Sequence, residues 1–218
     1  MSEITFDAVV RVVQATSATV LRNEQHFSDL DALAGDGDFG ASLAAGFRVI
    51  EVELPNIDRS HIGAFLLKIS MIISKHVGGS SGPIWGTAFM RAGILCKDKT
   101  SITLEDLEKI VTAAIEGIQA RGGALPGDKT LIDSLIPVRD AIGEHVRGDG
   151  DTLAALRDAA AAAEDAAERA KPWVARRGRQ QFTGDRSAGT PDPGMVAIAT
   201  ILADLCTEFG VSRSTVTA

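Results

Sequence analysis

Apolar residues recur three and four positions apart along most of this chain, and that spacing leaves room for little except helices. In the opening segment Phe6, Val9, Val10, Val13, Ser17, Val20, Leu21, Glu24 and Phe27 fall on one stripe. A strand would need strict alternation, which the Val doublets on either side of Arg11 break. Leu104, Leu107, Ile110, Val111, Ala114, Ile115 and Ile118 repeat the signature. They follow Thr103, which with Asp106 three residues on makes a capping box. Read throughout, the pattern predicts eight helices, roughly 4–34, 41–54, 59–77, 83–97, 103–121, 128–147, 151–177 and 193–210. No run of alternating β-branched residues remains, so the fold class is all-α. The alanine-rich stretch 153–170 reads as a small-residue seam for close helix packing.

Short links make successive helices antiparallel neighbours, so odd-numbered loops lie at one end of the bundle and even-numbered loops at the other. The odd loops are "GDGDFG" (35–40), "GGSSGP" (78–83), "RGGALPGD" (121–128) and "GRQQFTGDRSAGTPDPG" (178–194). The even loops are "LPNID", "KDKTSIT" and "RGDGD". Every long glycine-rich loop therefore falls at one end, and the second GDGD (148–151) falls at the other.

Bulk properties narrow the function classes. A length of 218 residues suits one well-buried core. A net charge of −7 argues against nucleic acid or an acidic membrane as the main partner. The start, MSEITFDAVV, has no basic-then-apolar leader, and Lys68 and Asp204 interrupt the longest apolar runs. Cys96 and Cys206 sit in apolar runs and read as core thiols of a reducing compartment. The expectation is a cytoplasmic protein: one helical domain over 1–210 and a flexible tail over 211–218.

The rich end begins with Asp31. One more step along the first stripe from Phe27 reaches it, so it points inward at a helix end, and Asp36 and Asp38 follow at once. At about 4 Å each carboxylate pair repels by roughly 1 kcal/mol in water and several times that in a drier site. A divalent cation removes the conflict, and all-oxygen ligands suit Mg²⁺ sharing its sphere with phosphates. An EF-hand fits badly, since counting from Asp36 puts Phe47 at the twelfth position. The dinucleotide fingerprint G-x-G-x-x-G fails because a helix precedes it rather than a strand. A capped turn with solvated aspartates is the bland alternative.

In "GGSSGP", glycines, serines and a helix start suit an anion, although the same residues make an inert cap. Arg176, Arg177, Arg179 and Arg186 fall in or beside the seventh loop. At least one could clamp phosphate, or all could simply offset a helix C-terminus. "PDPG" (191–194) opens the last helix and presents further backbone donors. Together these describe a Mg–nucleotide site more economically than four separate accidents.

Four stretches, "LDALAGDGDFG", "GGSSGPIWGTAF", "GALPGDKTLIDSLIPV" and "GRQQFTGDRSAGTPDPG", stand in this order. On them the chain resembles the nucleotide-binding L subunit of dihydroxyacetone kinases along nearly its whole length. The resemblance implies an antiparallel barrel of eight amphipathic helices that binds ADP or ATP with two Mg²⁺ ions at one rim. It implies Asp31, Asp36 and Asp38 as metal ligands. It implies nucleotide contacts from Phe39, Gly40, Ala41, Ser42, Ser80, Ser81, Gly122, Leu131, Arg179, Asp192, Pro193 and Gly194. Phe39 stands where that family commonly has His, which leaves its backbone N–H to face phosphate.

The implied activity is a kinase active only with a partner. This chain would hold the phosphoryl donor, with Arg179 as its catalytic residue, and a separate K subunit would hold dihydroxyacetone or a four-carbon ketose such as erythrulose. Arg176 and Arg177 are expected to face solvent or a partner. Some such subunits keep ADP as a fixed cofactor recharged by a phosphotransferase-system phosphocarrier, and others exchange ATP. No nucleic-acid or membrane partner is expected. Self-association into a homodimer, and a lipid inside the barrel, stay open. Two rival readings also stand: a nucleotide-binding regulatory module that never transfers phosphate, and a helical barrel carrying an apolar ligand.

Overall fold

The computed structural model describes residues 3–148 and 150–212. Among them nine α-helices run in chain order: α1 Phe6–Arg22, α2 Glu24–Ala32, α3 Phe39–Glu53, α4 Ile62–His76, α5 Ser81–Leu95, α6 Leu104–Gly122, α7 Leu131–Arg147, α8 Thr152–Ala170 and α9 Pro193–Glu208. Two 3₁₀ stretches, Leu54–Asn56 and Arg179–Ser187, complete the helical part. The all-α expectation holds. One two-residue pairing is added: β1 Ile4–Thr5 runs antiparallel to β2 Ser101–Ile102, with Ile4 opposite Ile102.

The first predicted helix divides in two. Asn23 leaves the helical region (φ −103, ψ 13) and turns its side-chain amide onto Thr19 O at 2.8 Å, competing with the backbone ladder. The stripe nevertheless continues across the break, with Val9, Val10, Val13, Ser17, Val20, Phe27 and Asp31 all buried. The Thr103–Asp106 capping box forms as expected, with bonds of 3.1 and 3.0 Å. Helix α8 stops at Ala170, seven residues short of the expected end. Pro172 follows, and its ring and missing N–H prevent another turn.

Sequential helices pack side by side, and α9 returns to lie against both α8 and α1, which closes the ring. The main core fills the side of α1–α5 with Phe27, Leu43, Phe47, Phe65 and Ile69, all fully enclosed. On the opposite side α8 presents Ala155, Ala159, Ala160, Ala163, Ala166 and Ala167, which lets its neighbours approach closely. Cys96 and Cys206 are buried. No helix among the described residues is long and apolar enough to cross a membrane. The expected tail falls mostly on 213–218, outside the described residues.

Both ends of the described chain lie away from the glycine-rich loops. Residue 4 pairs with the α5–α6 link, and Arg11 near the start of α1 binds Glu208 at the end of α9 at 2.7 Å.

Candidate functional site

In a ring of alternating helices, the loops at one end all lead into helices that begin there. The loops before α3, α5, α7 and α9 are those four, so four helix N-termini converge on one region. Each brings the positive end of a helix dipole. Between them lies a cavity of about 540 Å³. Residues of all four odd loops contribute to its wall, among them Asp36, Ser80, Gly122 and Arg179. The volume falls in the range of sites that enclose small molecules.

The acidic corner is built by close backbone approach. Asp31 ends α2 with its side chain buried, and its Oδ2 accepts from the N–H of Asp38 at 3.1 Å and of Phe39 at 3.4 Å. A Cβ at Gly35 would collide with the Asp31 carboxylate, so only glycine fits there. Gly37 takes φ +76, a conformation that L side chains rarely adopt, and so turns the loop back on itself. Asp31, Asp36 and Asp38 then offer carboxylate oxygens within 4.8 Å of one another. Burial pushes the Asp31 carboxyl above the usual carboxylate range, and the charges of Asp36 and Asp38 add to the rise. Backbone N–H groups of Phe39 and Gly37 oppose it.

Arg179 supplies a test of whether this corner accepts a cation. Its guanidinium stands 2.6 Å from Asp36 Oδ2 and 3.9 Å from Asp38 Oδ2, a positive group seated against two of the three carboxylates. Three carboxylates and one arginine still leave two negative charges. Hard oxygen donors at this spacing fit Mg²⁺ well.

The neighbouring wall is suited to anions. Helix α5 begins at Ser81, two residues before the expected start, so Pro83 sits inside its first turn, where its lack of N–H removes no helix bond. Ser80 and Ser81 both line the cavity. Pro193 opens α9, capped by Asp192, whose Oδ1 accepts from Met195 N at 2.8 Å. Burial pushes the Asp192 carboxyl up to about 7.

Of the positions named from the sequence, Asp31, Asp36, Asp38, Phe39, Ser80, Ser81, Gly122, Leu131, Arg179, Asp192, Pro193 and Gly194 line this one cavity. Gly40, Ala41 and Ser42 do not. The first turn of α3 is pressed against α2 there, and the Ala41 N–H donates to Ser28 Oγ at 3.2 Å. The Phe39 N–H faces the Asp31 carboxylate, not open cavity, and its ring packs on Phe27 with centroids 6.3 Å apart. Arg177 is not simply solvent-facing. It lines the cavity, and its Nε donates to Asp128 Oδ2 at 3.1 Å. The second GDGD is a helix cap: Asp151 Oδ1 accepts from Leu153 N and Ala154 N ahead of α8. Asp149 lies outside the described residues.

Sequence reasoning missed Lys129. It is 1% exposed, holds φ +62, and donates from Nζ to the carbonyls of Lys171, Trp173 and Ser187 at 3.1, 2.9 and 2.6 Å. Burial pulls its pKa down, and Asp192 partly restores it. This ammonium ties two stretches of the connection between α8 and α9, at 171–173 and at 187, to the lead-in of α7. The lysine stands in a stretch read as the start of a helix, and nothing local marks a left-handed residue with partners more than forty positions away.

The DAK2 domain pattern matches residues 33–207. The chain belongs to the DAK2-domain family. It is 35% identical over 174 residues to the protein named PEP-dependent dihydroxyacetone kinase, ADP-binding subunit DhaL, of Escherichia coli K12, covering 80% of this chain and 83% of that one. It is 35% identical over 199 residues to L-erythrulose 1-kinase of Mycolicibacterium smegmatis, covering 89% of this chain but 34% of that longer one. The dihydroxyacetone kinase of C. freundii, solved in complex with AMP-PNP and Mg²⁺, superposes with a TM-score of 0.72 at 26% identity. That match covers 93% of this chain and 34% of the other, so this DAK2 domain spans about a third of the longer kinases.

Proposed function

We propose that this DAK2-domain chain is the nucleotide-holding, phosphoryl-donor subunit of a short-chain ketose kinase. It would transfer phosphate from Mg–ATP, or from recharged Mg–ADP, to dihydroxyacetone or erythrulose held on a separate K subunit. The observation that carries the reading is the convergence of four helix N-termini, three carboxylates and Arg179 on one cavity. Anionic phosphate is drawn to the first, and the acidic corner would be intolerable beside phosphate without a cation between them. Relatives named as ADP-binding subunits of PEP-dependent kinases support the donor role and the partner. Acidic composition and buried thiols accord with a cytoplasmic setting.

Asp31, Asp36 and Asp38 would hold Mg²⁺, two ions on this reading, which neutralises phosphate charge and fixes its orientation when bound. Phosphoryl transfer needs positioning and charge stabilisation more than covalent help from protein. Ser80, Ser81 and the N-termini of α5 and α9 would orient the phosphates. Arg179 would move from the aspartates to the oxygens that gain charge during transfer. None of His26, His61, His76 and His145 lies in the cavity wall, which accords with a ketose held on the K subunit.

Calorimetry with Mg–ADP and Mg–ATP tests the binding half. A coupled assay with K subunits, each ketose, and ATP or a phosphocarrier as donor tests the transfer half. Micromolar nucleotide binding with turnover only when a K subunit is added is expected. Robust turnover by the single chain, or no nucleotide affinity, refutes the proposal. Arg179→Lys sharpens the test, because lysine keeps the charge and loses the bidentate fork. It should slow single-turnover transfer far more than it weakens ADP binding.

A further inference from the structure

Two arginines stand two positions apart in the connection between α8 and α9, and only Arg179 has a part in the transfer proposed above. Arg177 is fixed as well, by different partners. Its Nε donates to Asp128 Oδ2 at 3.1 Å, a carboxylate that also accepts the Leu125 N–H at 2.9 Å and is 8% exposed. A Cβ built at Gly123 would stand 3.7 Å from Nη1, 3.8 Å from Nη2 and 3.9 Å from Cζ. Such even spacing sets Gly123 against the flat face of the guanidinium rather than its edge. One edge and one face thus meet protein. The side chain is still 44% exposed and lines the cavity, and among the described residues nothing accepts from Nη1 or Nη2.

The neighbours of Gly123 say which part of the cavity this is. A Cβ at Gly122 would stand 3.0 Å from Ile84 Cδ1, Ala124 follows, and Ile118 lies one turn back on α6. Gly122, Ala124, Ile84 and Ile118 all line the cavity, and none carries a charge. The carboxylates are met by the other arginine, Arg179, at Asp36 and Asp38. A cation and the phosphates it binds belong with those carboxylates, which leaves the nucleoside half of the ligand for the apolar wall beside Arg177. Gln180 adds nothing there, being 4% exposed with both amide atoms enclosed by protein.

The chemistry of the side chain agrees with this placement. A guanidinium is planar and weakly hydrated, and it stacks on the faces of flat π-systems. Phosphate is instead taken edge-on by a fork of two N–H groups. With Nε committed to Asp128, the fork that Nε forms with its neighbouring Nη is lost, whereas the face turned away from Gly123 stays free. A planar cation with one free face beside apolar side chains suits an aromatic ring.

We propose that Arg177 is a specificity-determining residue whose guanidinium, held flat by Gly123 and Asp128, stacks on the nucleobase. This rests on the nucleotide-holding role proposed above. Stacking responds to the size of the ring system and not to the groups on its edge. The contact would therefore favour purine over pyrimidine diphosphates.

The test compares the parent chain with Arg177→Lys and Arg177→Ala in calorimetry, using Mg–ADP, Mg–UDP and Mg–pyrophosphate as probes. Lysine keeps a positive charge beside Asp128 and loses the plane, so it is the decisive variant, and thermal melting of each unliganded variant shows that it folds. Mg–ADP affinity should fall by roughly 3- to 30-fold in both variants. Mg–UDP should lose less, and Mg–pyrophosphate should stay within twofold of the parent. Equal losses for ADP and pyrophosphate would assign Arg177 to the phosphates and overturn the proposal. An ADP affinity within twofold of the parent in Arg177→Lys would reduce the arginine to its charge and overturn it too. If the parent binds none of the three probes, the nucleotide-holding role itself falls, and this reading falls with it.

Discussion

Replacing Arg179 by methionine should move two affinities in opposite directions. Its guanidinium stands 2.6 Å from Asp36 Oδ2 and 3.9 Å from Asp38 Oδ2, so it and a divalent cation would compete for the same carboxylates. The pair is solvated, with side-chain exposures of 63% for Arg179 and 35% for Asp36. Exposed pairs of this kind contribute about 0.2–1 kcal/mol. Removing the arginine therefore tightens Mg²⁺ or Mn²⁺ binding by about 1.5- to 5-fold in the absence of nucleotide. Nucleotide should respond the other way. A charge-assisted bond to phosphate contributes about 1.5–3 kcal/mol, so Mg–ADP affinity should fall by about 10- to 150-fold. Mn²⁺ titration followed by paramagnetic resonance reads the first quantity, and calorimetry reads the second. Cation affinity that is unchanged or weaker in Arg179→Met would refute the idea that arginine and metal compete for one seat. The effect should also shrink as salt is raised, because screening already weakens the pair in the parent.

Further expectations follow from the same geometry. Asp36→Ala or Asp38→Ala should abolish measurable Mg–ADP binding, whereas Asp151→Ala should cost about 1 kcal/mol of stability through its helix cap and leave ADP affinity alone; equal nucleotide losses would show the wrong GDGD was assigned. Lys129→Met would strand three carbonyls and destabilise the chain by about 3 kcal/mol or more. Faster hydrogen exchange at Ala175, whose N–H bonds Ser187 Oγ, should accompany it, and a melting temperature within a degree of the parent would refute the strut. Asp192 gives a pH signature. Its carboxyl lies at about 7 when folded against 3.8 ordinarily, so the folded state holds the extra proton between these values. Its contribution is fully present below pH 4 and is lost as pH rises towards 7, at up to about 1.4 kcal/mol per unit. Asp192→Asn keeps a capping oxygen and should remove that slope, so urea-derived stabilities of variant and parent should diverge between pH 5 and 7.5. Parallel curves would contradict this.

The placement of the cavity was legible because it follows from counting. Once helices alternate in direction, four glycine-rich loops with odd numbers must share an end, whatever the packing details. Asp31 was legible for a related reason: a period of 3.6 carries inward-facing positions across the interruption at Asn23, since α2 resumes on nearly the same phase. The end of α8 was also written in the chain, at Pro172, and alanine periodicity simply outweighed it. Lys129 and Gln180 belong to a different class. One depends on a left-handed backbone and on carbonyls brought from residues 171–187. The other depends on enclosure by a folded loop, and neither property has a local signature. Arg177 shows the same limit, because its partner Asp128 lies forty-nine positions away.

The pairing of residue 4 with Ile102 and of Arg11 with Glu208 has a bearing on how such a domain can be used. Both points of attachment for additional polypeptide stand on the face opposite the cavity mouth. A tether joined at either side leaves the mouth unobstructed. The same body can thus stand as a separate piece or form one third of a continuous chain, which would hold it at high local concentration near whatever it is joined to. The matches to a protein of similar length and to kinases three times longer are what that arrangement permits.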